Sequence, residues 1–400
     1  MADKFIARQP IFDAGLQVSA YELLFRSGPE NFFKPSPIAA QSVIVDSTMV
    51  FDLERLIGPA KAFINVDEEA LLSEAPRLLD PKRVVLELLE NVVPSEDVFE
   101  ACRALHSRGY ELALDDFIGG EKWEPLMPLV RFLKVDYREC GESAQRAIAQ
   151  RYLPRKISLV AEKVETEEEL ARSRGLGYTF FQGYFFCKPT MISDHDIPAG
   201  KTMCVKLLRE ITLPELNIPA IESLLEHEPS LTYKLLRYIN SPLLGVNGEV
   251  REISQAVMLL GETEFRRWIS VVAVVSLATG KPIELARTAV LRGFFCEQIA
   301  QASGRRSAAP EFFLMGLLSV ADAMLDRPMD RILAELPLSD DLDAALRGRD
   351  NHFRSVYDLM LAYERGTWNS VSKAAHRIGM QEALLPDCYL RATEKADELV

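Results

Sequence analysis

The sequence has few of the cysteines and histidines that form disulfide bonds or bind zinc in small proteins. Its six cysteines are scattered with no Cys-x-x-Cys pair, and the three histidines of its C-terminal half lack zinc-ligand spacing. This pattern excludes a disulfide scaffold and a zinc module, and we expect the thiols to stay reduced as in a cytosolic chain. The cysteines are Cys102, Cys140, Cys187, Cys204, Cys296 and Cys388.

Positive charge and long apolar runs are also scarce. The 46 Lys and Arg residues against 59 Asp and Glu residues give a net charge of -13. This charge argues against nucleic acid as the main partner, because no basic stripe is available to displace counterions. The longest apolar run, residues 268–278, is much shorter than the ~20 residues of a membrane helix, and the N-terminus lacks the apolar core of a signal peptide. We therefore expect a soluble, cytoplasmic protein with no membrane partner.

The chain does contain two halves with different hydrophobic periodicities. Its 400 residues favour two domains. Up to about residue 190, eight apolar strands alternate with helical segments, a pattern that predicts an α/β domain built as a TIM-like (β/α)8 barrel. We expect the barrel over residues 1–192, a polar linker over 193–202 and an all-α bundle over 203–400. The predicted strands are 5–12, 21–26, 62–66, 84–88, 112–116, 131–136, 157–162 and 178–186, and the predicted helices of this half are 38–56, 96–107, 141–151 and 166–174.

Polar side chains stand near the C-terminal end of strand after strand. In a (β/α)8 barrel these ends converge on one mouth, although strand count alone leaves an open sheet as an alternative. Oxygen ligands gathered from several strands suit Mg²⁺ or Mn²⁺, and adjacent carboxylates such as Asp115 and Asp116 repel each other unless a cation lies nearby. Taken alone, that pair would equally suit a helix cap in a surface loop. The strand-end residues are Glu22, Asn65, Glu87, Asp115, Asp116, Lys134, Glu162, Glu165 and Gln182.

Seven segments resemble, in the same order, the EAL domain, a family of cyclic di-GMP phosphodiesterases and their inactive relatives. The resemblance covers nearly all of residues 5–189 and implies cyclic di-GMP as the ligand and Mg²⁺ or Mn²⁺ as the cofactor. The matching segments are Tyr21-Glu-Leu-Leu-Phe-Arg26, Phe63-Ile-Asn65, Glu87-Leu-Leu-Glu90, Leu114-Asp-Asp-Phe117, Lys134-Val-Asp136, Ala161-Glu-Lys-Val-Glu-Thr166 and Gln182-Gly-Tyr-Phe185.

The resemblance also implies a role for each matched residue. Glu90 would steady the loop after the Asp pair, and Arg26 would contact a substrate phosphate. Gln182 would bind substrate, with Glu165 as a further supporting residue. Lys134 and Glu162 would orient or deprotonate the attacking water. The implied metal ligands are Glu22, Asn65, Glu87 and Asp115, with Asp116 on a second metal.

Two departures from the family pattern leave the activity open. Ile118 replaces the first glycine of the loop after the Asp pair, and Lys163 replaces a glycine between Glu162 and Glu165. A β-branched residue does not readily adopt positive φ, and loss of residues that support metal ligands commonly reduces affinity or activity ~10–100-fold. Our first hypothesis is therefore a divergent barrel with weak or no hydrolysis that binds cyclic di-GMP. The alternatives are an active phosphodiesterase that produces the linear dinucleotide and a scaffold without nucleotide binding.

The C-terminal half shows helical periodicity throughout. Residues 225–242, with the helix and turn at 253–261, resemble the HDOD domain, which is related to HD hydrolases but lacks their His-Asp pair; Ser319 and Val320 stand at that place here. We expect a non-catalytic module that binds an unidentified signalling protein, and homodimer formation stays open. Residues 387–400 read as a charged helical tail with a solvated face. The predicted helices are 203–210, 218–226, 230–240, 253–260, 262–278, 282–302, 311–324, 329–336, 339–346, 355–365 and 367–378.

Overall fold

The computed structural model describes residues 4–27, 53–188, 199–226, 233 and 253–400. Most of the helices expected over residues 38–56 and 230–240 lies outside these ranges, and so does most of the expected linker. One compact unit contains the described residues up to 188 together with 362–372. The other contains those from 199 to 361 and from 373 to 400. The domain boundaries expected from the sequence stay a prediction.

Eight strands close into a barrel in chain order, which confirms the predicted barrel and excludes the open sheet. Neighbouring strands from β2 to β8 pair in parallel. Strand β1 instead runs antiparallel to both β2 and β8, so the expectation of an all-parallel sheet is wrong for this strand. The strands are β1 (Lys4–Asp13), β2 (Val18–Ser27), β3 (Lys61–Val66), β4 (Val84–Leu88), β5 (Glu111–Leu114), β6 (Val130–Asp136), β7 (Ser158–Glu162) and β8 (Phe180–Gln182).

The reversal of β1 follows from the short connection to β2. Only four residues, 14–17, separate the two strands, and such a turn can join antiparallel neighbours but not parallel ones. The Asp13 carboxylate holds the turn by accepting the main-chain N–H groups of Gly15 at 2.8 Å and Gln17 at 2.9 Å. Leu16 adopts a positive φ of 59° inside it.

Helices follow most of the parallel strands, and polar caps set where several of them begin. The Ser95 hydroxyl accepts the Val98 N–H at the start of one helix, and Thr166 forms a reciprocal capping box with Glu169 at another. The barrel helices are α1 (Leu53–Ile57), α2 (Glu68–Leu72), α3 (Glu96–Ser107), α4 (Glu142–Tyr152) and α5 (Glu167–Gly175). Single 3₁₀ turns cover Ala75–Leu78, Glu121–Trp123, Leu153–Arg155 and Phe185–Cys187.

The barrel interior is filled by one apolar side chain from each strand. The ring of Phe132 packs edge-on against those of Phe63 and Phe180, at centroid distances of 5.2 and 5.5 Å. The barrel is therefore plugged at this level, so a site inside the barrel has to lie above or below this layer. The layer consists of Ile11, Ala20, Phe63, Val85, Ala113, Phe132, Val160 and Phe180.

The second unit is helical in its described residues, as predicted. Its helices are α6 (Ala199–Thr212), α7 (Ile218–Glu226), α8 (Ile253–Leu260), α9 (Glu262–Leu277), α10 (Ile283–Ala302), α11 (Ala309–Leu318), α12 (Ala321–Leu325), α13 (Met329–Leu333) and α14 (Asp340–Leu346). Helices α15 (His352–Glu364) and α16 (Trp368–Arg377) contribute to both units, and α17 (Leu385–Leu399) ends the chain. Arg306–Ala308 and Glu382–Leu384 are 3₁₀ turns. No helix of the described chain is both long and apolar enough to cross a membrane.

One predicted helix of this half is wrong in detail: the segment 311–324 breaks into α11 and α12 at Ser319 and Val320. The end of the chain is helical and has an exposed face, as expected, but α17 also packs along α10 with an apolar face buried. The ring of Tyr389, 1% exposed, lies 5.3 Å from that of Phe295. The many charged residues of α17 conceal an apolar stripe at helical spacing.

Candidate metal centre at the mouth of the barrel

Strand geometry brings the sequence-predicted residues to one level of the barrel. Side chains alternate between the two faces of a strand, so a residue two positions beyond an interior residue also points inward. Seven of the expected residues stand in this relation to the apolar layer: Glu22 to Ala20, Asn65 to Phe63, Glu87 to Val85, Asp115 to Ala113, Lys134 to Phe132, Glu162 to Val160 and Gln182 to Phe180. They form a polar layer directly above the apolar plug.

Gln9 is an eighth member that the sequence interpretation missed. Because β1 runs in the opposite direction, its inward residue at the mouth lies two positions before Ile11 rather than after it. The Gln182 Nε2 donates to the Gln9 Oε1 at 3.1 Å and to the Glu22 Oε2 at 2.6 Å. Gln9 therefore helps to orient the amide that holds Glu22. The short β1–β2 connection was the signal that could have identified it.

Lys134 is the centre of the polar layer. Its ammonium, fully buried, donates to Glu87 and lies 3.0 Å from the Glu22 Oε2, 2.8 Å from the Glu162 Oε1 and 3.4 Å from the Asp115 Oδ1. The Asn65 Nδ2 donates to the Glu22 Oε1 at 3.2 Å. One cation thus faces four carboxylates in a space closed to solvent.

The charge imbalance shifts the pKa values of these groups. Burial alone would lower the pKa of Lys134, but the surrounding carboxylates raise it well above its usual range. Burial raises the pKa of Glu162 to about 8, against the attraction of Lys134, and raises the pKa of Glu87 strongly. Burial also acts to raise the pKa of Asp115, but contact with Lys134 and Glu87 brings it below the ordinary value. The lysine keeps its charge, while the carboxylates compete for too little positive charge.

The polar layer fits a divalent cation. Oxygen atoms of Glu22, Glu87 and Glu162 lie within 4.8 Å of one another, close enough to share one ion. Several buried oxygen atoms have no hydrogen-bond partner, and such groups ordinarily find one. Carboxylate and amide oxygens are the ligands that Mg²⁺ and Mn²⁺ prefer. The unpartnered atoms of this layer are Asn65 Oδ1, Glu87 Oε2, Glu162 Oε2 and Gln182 Oε1.

A second acidic group lies further out on the mouth. Oxygen atoms of Glu90, Asp115 and Asp116 lie within 4.8 Å of one another, so Asp115 belongs to both groups. Burial and the neighbouring Asp115 raise the pKa of Asp116. The Lys163 Nζ lies 3.7 Å from the Asp116 Oδ1. A positive charge therefore stands beside this second acidic group.

The two remaining expected site residues are Glu165 and Arg26. Glu165 forms ion pairs with Arg138 and, at 2.8 Å, with Lys188, and the Lys188 contact lowers its pKa. Arg26 lies in β2 with Phe5 as its partner in β1, and its side chain is outside the described part of the structure. The roles of both residues stay predictions.

In the loop after the Asp pair, residues other than Ile118 adopt the positive φ values. Asp116, Gly119 and Gly120 have φ values of 40°, 95° and 125°, and Ile118 is not among the described residues with positive φ. Its side chain is 74% exposed. The loop therefore meets its conformational demands with the two glycines that remain, and Ile118 presents an apolar side chain to solvent at the mouth.

The helical unit offers no comparable arrangement among its described residues, since both acidic groups lie in the barrel. At the place of the His-Asp pair of HD hydrolases, the Arg292 guanidinium donates to the Ser319 Oγ at 3.2 Å. Arg292 is 4% exposed. A buried cation at this position opposes metal binding there.

Comparisons with known proteins agree with this division. The EAL domain profile matches residues 51–189, and the HDOD domain profile matches residues 197–325. The cyclic di-GMP phosphodiesterase CdgJ of Vibrio cholerae is 33% identical over 95% of this chain and 89% of its own. YuxH of Bacillus subtilis, an uncharacterized protein, is 32% identical over 99% of this chain and 98% of its own. A structure of Klebsiella pneumoniae BlrP1, a manganese/cy-diGMP complex, matches 46% of this chain and 55% of its own, with 24% identity and a TM-score of 0.40.

Proposed function

Because this chain belongs to the family of cyclic di-GMP signalling proteins that join an EAL domain to an HDOD domain, we propose that its barrel binds cyclic di-GMP and hydrolyses it slowly. The product would be the linear dinucleotide. The observation that carries the proposal is the polar layer. In it, the residues that match the EAL segments come together around Lys134 from seven strands, and several of their buried oxygens have no hydrogen-bond partner. A merely structural layer would have its buried polar groups satisfied.

The ligands of the divalent ion would come from the carboxylates of this layer. Glu22 and Glu87 have oxygens close enough to share an ion, and Asn65 offers an unpartnered amide oxygen beside them. Asp115 links this set to Asp116. A bound Mg²⁺ or Mn²⁺ would supply Lewis-acid polarisation of the scissile phosphodiester.

The protein itself would handle the proton of the attacking water. Burial raises the pKa of Glu162 to about 8, so its carboxylate can accept a proton near neutral pH, and its Oε2 is unpartnered. Lys134 remains protonated and keeps the carboxylates together through four contacts. We assign Glu162 as the proton acceptor and Lys134 as the group that orients the acceptor and the water.

The remaining expected residues would act on the nucleotide or on the loop. We assign Arg26 to a phosphate of the substrate and Gln182 to substrate binding, where its Oε1 is unpartnered. We assign Glu90 to steadying the loop after Asp116, and its carboxylate lies near this loop at the mouth. Glu165 would position Arg138 and Lys188 at the rim.

Binding without turnover is the second candidate function. It is favoured by Lys163, whose ammonium already lies beside Asp116 where a second cation would otherwise be needed. In either case the helical unit would transmit the signal by contacting another protein. The solvent-exposed apolar side chains of Met258 and Leu259, 80% and 49% exposed on α8, are suited to such a contact.

Turnover and binding heat measured on the same protein separate these candidates. The purified chain is incubated with cyclic di-GMP and Mn²⁺ or Mg²⁺, the linear product is quantified, and binding is measured calorimetrically. We expect slow, metal-dependent turnover that is lost in Glu22→Gln and retained in the matched variant Glu100→Gln, whose side chain is exposed on α3. Binding without product would favour the second candidate. Neither product nor binding heat, at nucleotide well above micromolar concentration, would contradict both.

A further inference from the structure

Lys163 is held in a backbone conformation that lysine rarely adopts. It follows Glu162 directly and has a φ of 54°, in the left-handed region that favours glycine. Its ammonium donates to the Asp136 Oδ2 and lies 3.7 Å from the Asp116 Oδ1. This conformation places the ammonium near two carboxylates, although 51% of the side chain remains exposed.

Asp136 anchors the lysine. The carboxylate ends β6 on the same inward face as Lys134, and its residue is 3% exposed. Its Oδ1 accepts the main-chain N–H groups of Arg138 at 2.7 Å and Glu139 at 3.1 Å, which leaves Oδ2 for Lys163. Burial alone would raise the pKa of Asp136, but these hydrogen bonds keep it below the ordinary value. The anchor is therefore a fixed anion.

The two acidic groups of the mouth each have one lysine. Lys134 is enclosed by the inner group, which consists of Glu22, Glu87, Glu162 and Asp115. The outer group consists of Glu90, Asp115 and Asp116, so Asp115 is common to both groups. Lys163 lies beside Asp116 of this outer group. A divalent ion at either group would be repelled by the lysine beside it, since like charges a few ångströms apart repel strongly even near the surface. At the inner group, four carboxylates outnumber Lys134 and can offset this repulsion. The outer group has only Glu90 and Asp116 besides the shared Asp115, and the Lys163 ammonium is held beside Asp116.

We propose that the Lys163 ammonium takes the place of a second divalent ion beside Asp116, so that the barrel holds a single divalent ion at the inner group. The inference rests on the proposed metal-dependent function and deepens it. It explains why a barrel that keeps its ligands would still be a slow enzyme. A two-ion site stabilises both the attacking and the leaving oxygen of the displacement, and a fixed ammonium beside Asp116 cannot replace the second ion at the phosphoryl oxygens.

The test is a titration of the full chain with Mn²⁺ alone, in the absence of nucleotide. Calorimetry gives the stoichiometry and affinity, and electron paramagnetic resonance shows whether two ions lie close enough to couple magnetically. Three proteins are compared: the wild type, Lys163→Met, which removes the charge and keeps the length and the strained backbone, and Lys163→Arg, which keeps the charge. We expect one ion in the wild type and in Lys163→Arg, and a second, coupled ion in Lys163→Met, bound at least about tenfold more tightly than in the wild type.

Two coupled ions in the wild type, or a Lys163→Met protein that titrates like the wild type, would overturn the inference while leaving the metal-dependent function intact. Absence of Mn²⁺ binding in all three proteins would overturn the inference together with the proposed function. Circular dichroism of each variant establishes that it is folded. Since the readout is Mn²⁺ binding, slow or absent turnover does not affect the result.

Discussion

The barrel and the helical unit treat buried charge in opposite ways. In the helical unit the buried Glu297 pairs with Arg267, and the buried Glu284 pairs with Arg287 at 3.1 Å, so each of these buried anions contacts a cation. Each arginine is shared with one further carboxylate, so in these ion pairs of the described chain no cation faces more than two. In the barrel mouth one buried lysine faces four carboxylates, and several oxygens have no partner. Matched pairs stabilise a fold by themselves, whereas an excess of one sign requires a further ion. The difference locates the candidate site in the barrel.

The largest expected effect is on the stability of Lys134→Met. Without its cation, the inner group retains four carboxylates with no neutralising partner, and removing one member of a buried ion pair commonly costs about 3–5 kcal/mol. We expect the metal-free variant to unfold at correspondingly lower urea concentration at pH 7.5, and Mn²⁺ to restore much of the loss. A variant as stable as the wild type without metal would contradict the excess of negative charge described for the mouth.

Arg267→Met makes the matching change in the helical unit. It leaves the buried Glu297 without its cation, which we expect to reduce the free energy of unfolding by about 1–3 kcal/mol. Burial already raises the pKa of Glu297, so this carboxyl can relieve the loss by taking a proton. The decisive comparison is between urea unfolding with and without Mn²⁺. The loss of unfolding free energy in Arg267→Met should be the same in both conditions. Rescue of Arg267→Met by Mn²⁺ would remove the distinction between the two units.

Lys163→Gly is expected to raise the turnover of cyclic di-GMP about tenfold, since it frees the outer acidic group for an ion. Lys156→Gly is the matched control, because Lys156 also has a left-handed backbone, with a φ of 64°, but lies after the 3₁₀ turn Leu153–Arg155, away from the mouth. Product formation is measured for both variants at saturating Mn²⁺. Equal increases in the two variants would assign the effect to the backbone instead of to the charge.

The smallest effect is expected for Met258→Ser on the surface of the helical unit. This side chain is 80% exposed, so its replacement should change the free energy of unfolding by less than about 0.5 kcal/mol and leave turnover unchanged. Urea unfolding and the turnover assay check this together. A large loss of stability would show that α8 is packed against its own unit instead of presenting a surface.

Most of the polar layer could be predicted from the sequence because a strand has a period of two and parallel strands share one direction. Once Glu87 or Lys134 is placed at a strand end, the other parallel strands must deliver their residues at the same level. Gln9 was missed for the same reason, because in a fully parallel barrel every inward residue at the mouth follows its layer residue, and β1 reverses this order. The predicted strands 5–12 and 21–26 leave only eight residues between them, too few for a crossover to a parallel neighbour.

Other features depended on contacts between distant residues, which no local pattern reports. The partner of Lys163 is Asp136 at the end of the preceding strand, and the pairing of Asp136 with Glu162 in the sheet brings the two side chains together. At the end of the chain, the many charged residues predict the exposed face of the helix. They do not report the opposite face, on which Tyr389 and Ala392 are buried. The break at Ser319 is likewise invisible in a continuous apolar run.

The dependence of turnover on Mn²⁺ concentration tests the central claim most directly. Formation of the linear dinucleotide is followed from chelator-treated protein up to saturating Mn²⁺, in the wild type and in Glu22→Gln. The polar layer around Lys134 predicts no turnover without metal, a rise that follows occupancy of a single ion in the wild type, and no turnover in the variant at any concentration. Turnover that persists after chelation, or that survives in Glu22→Gln, would contradict a metal-dependent site at the mouth of the barrel.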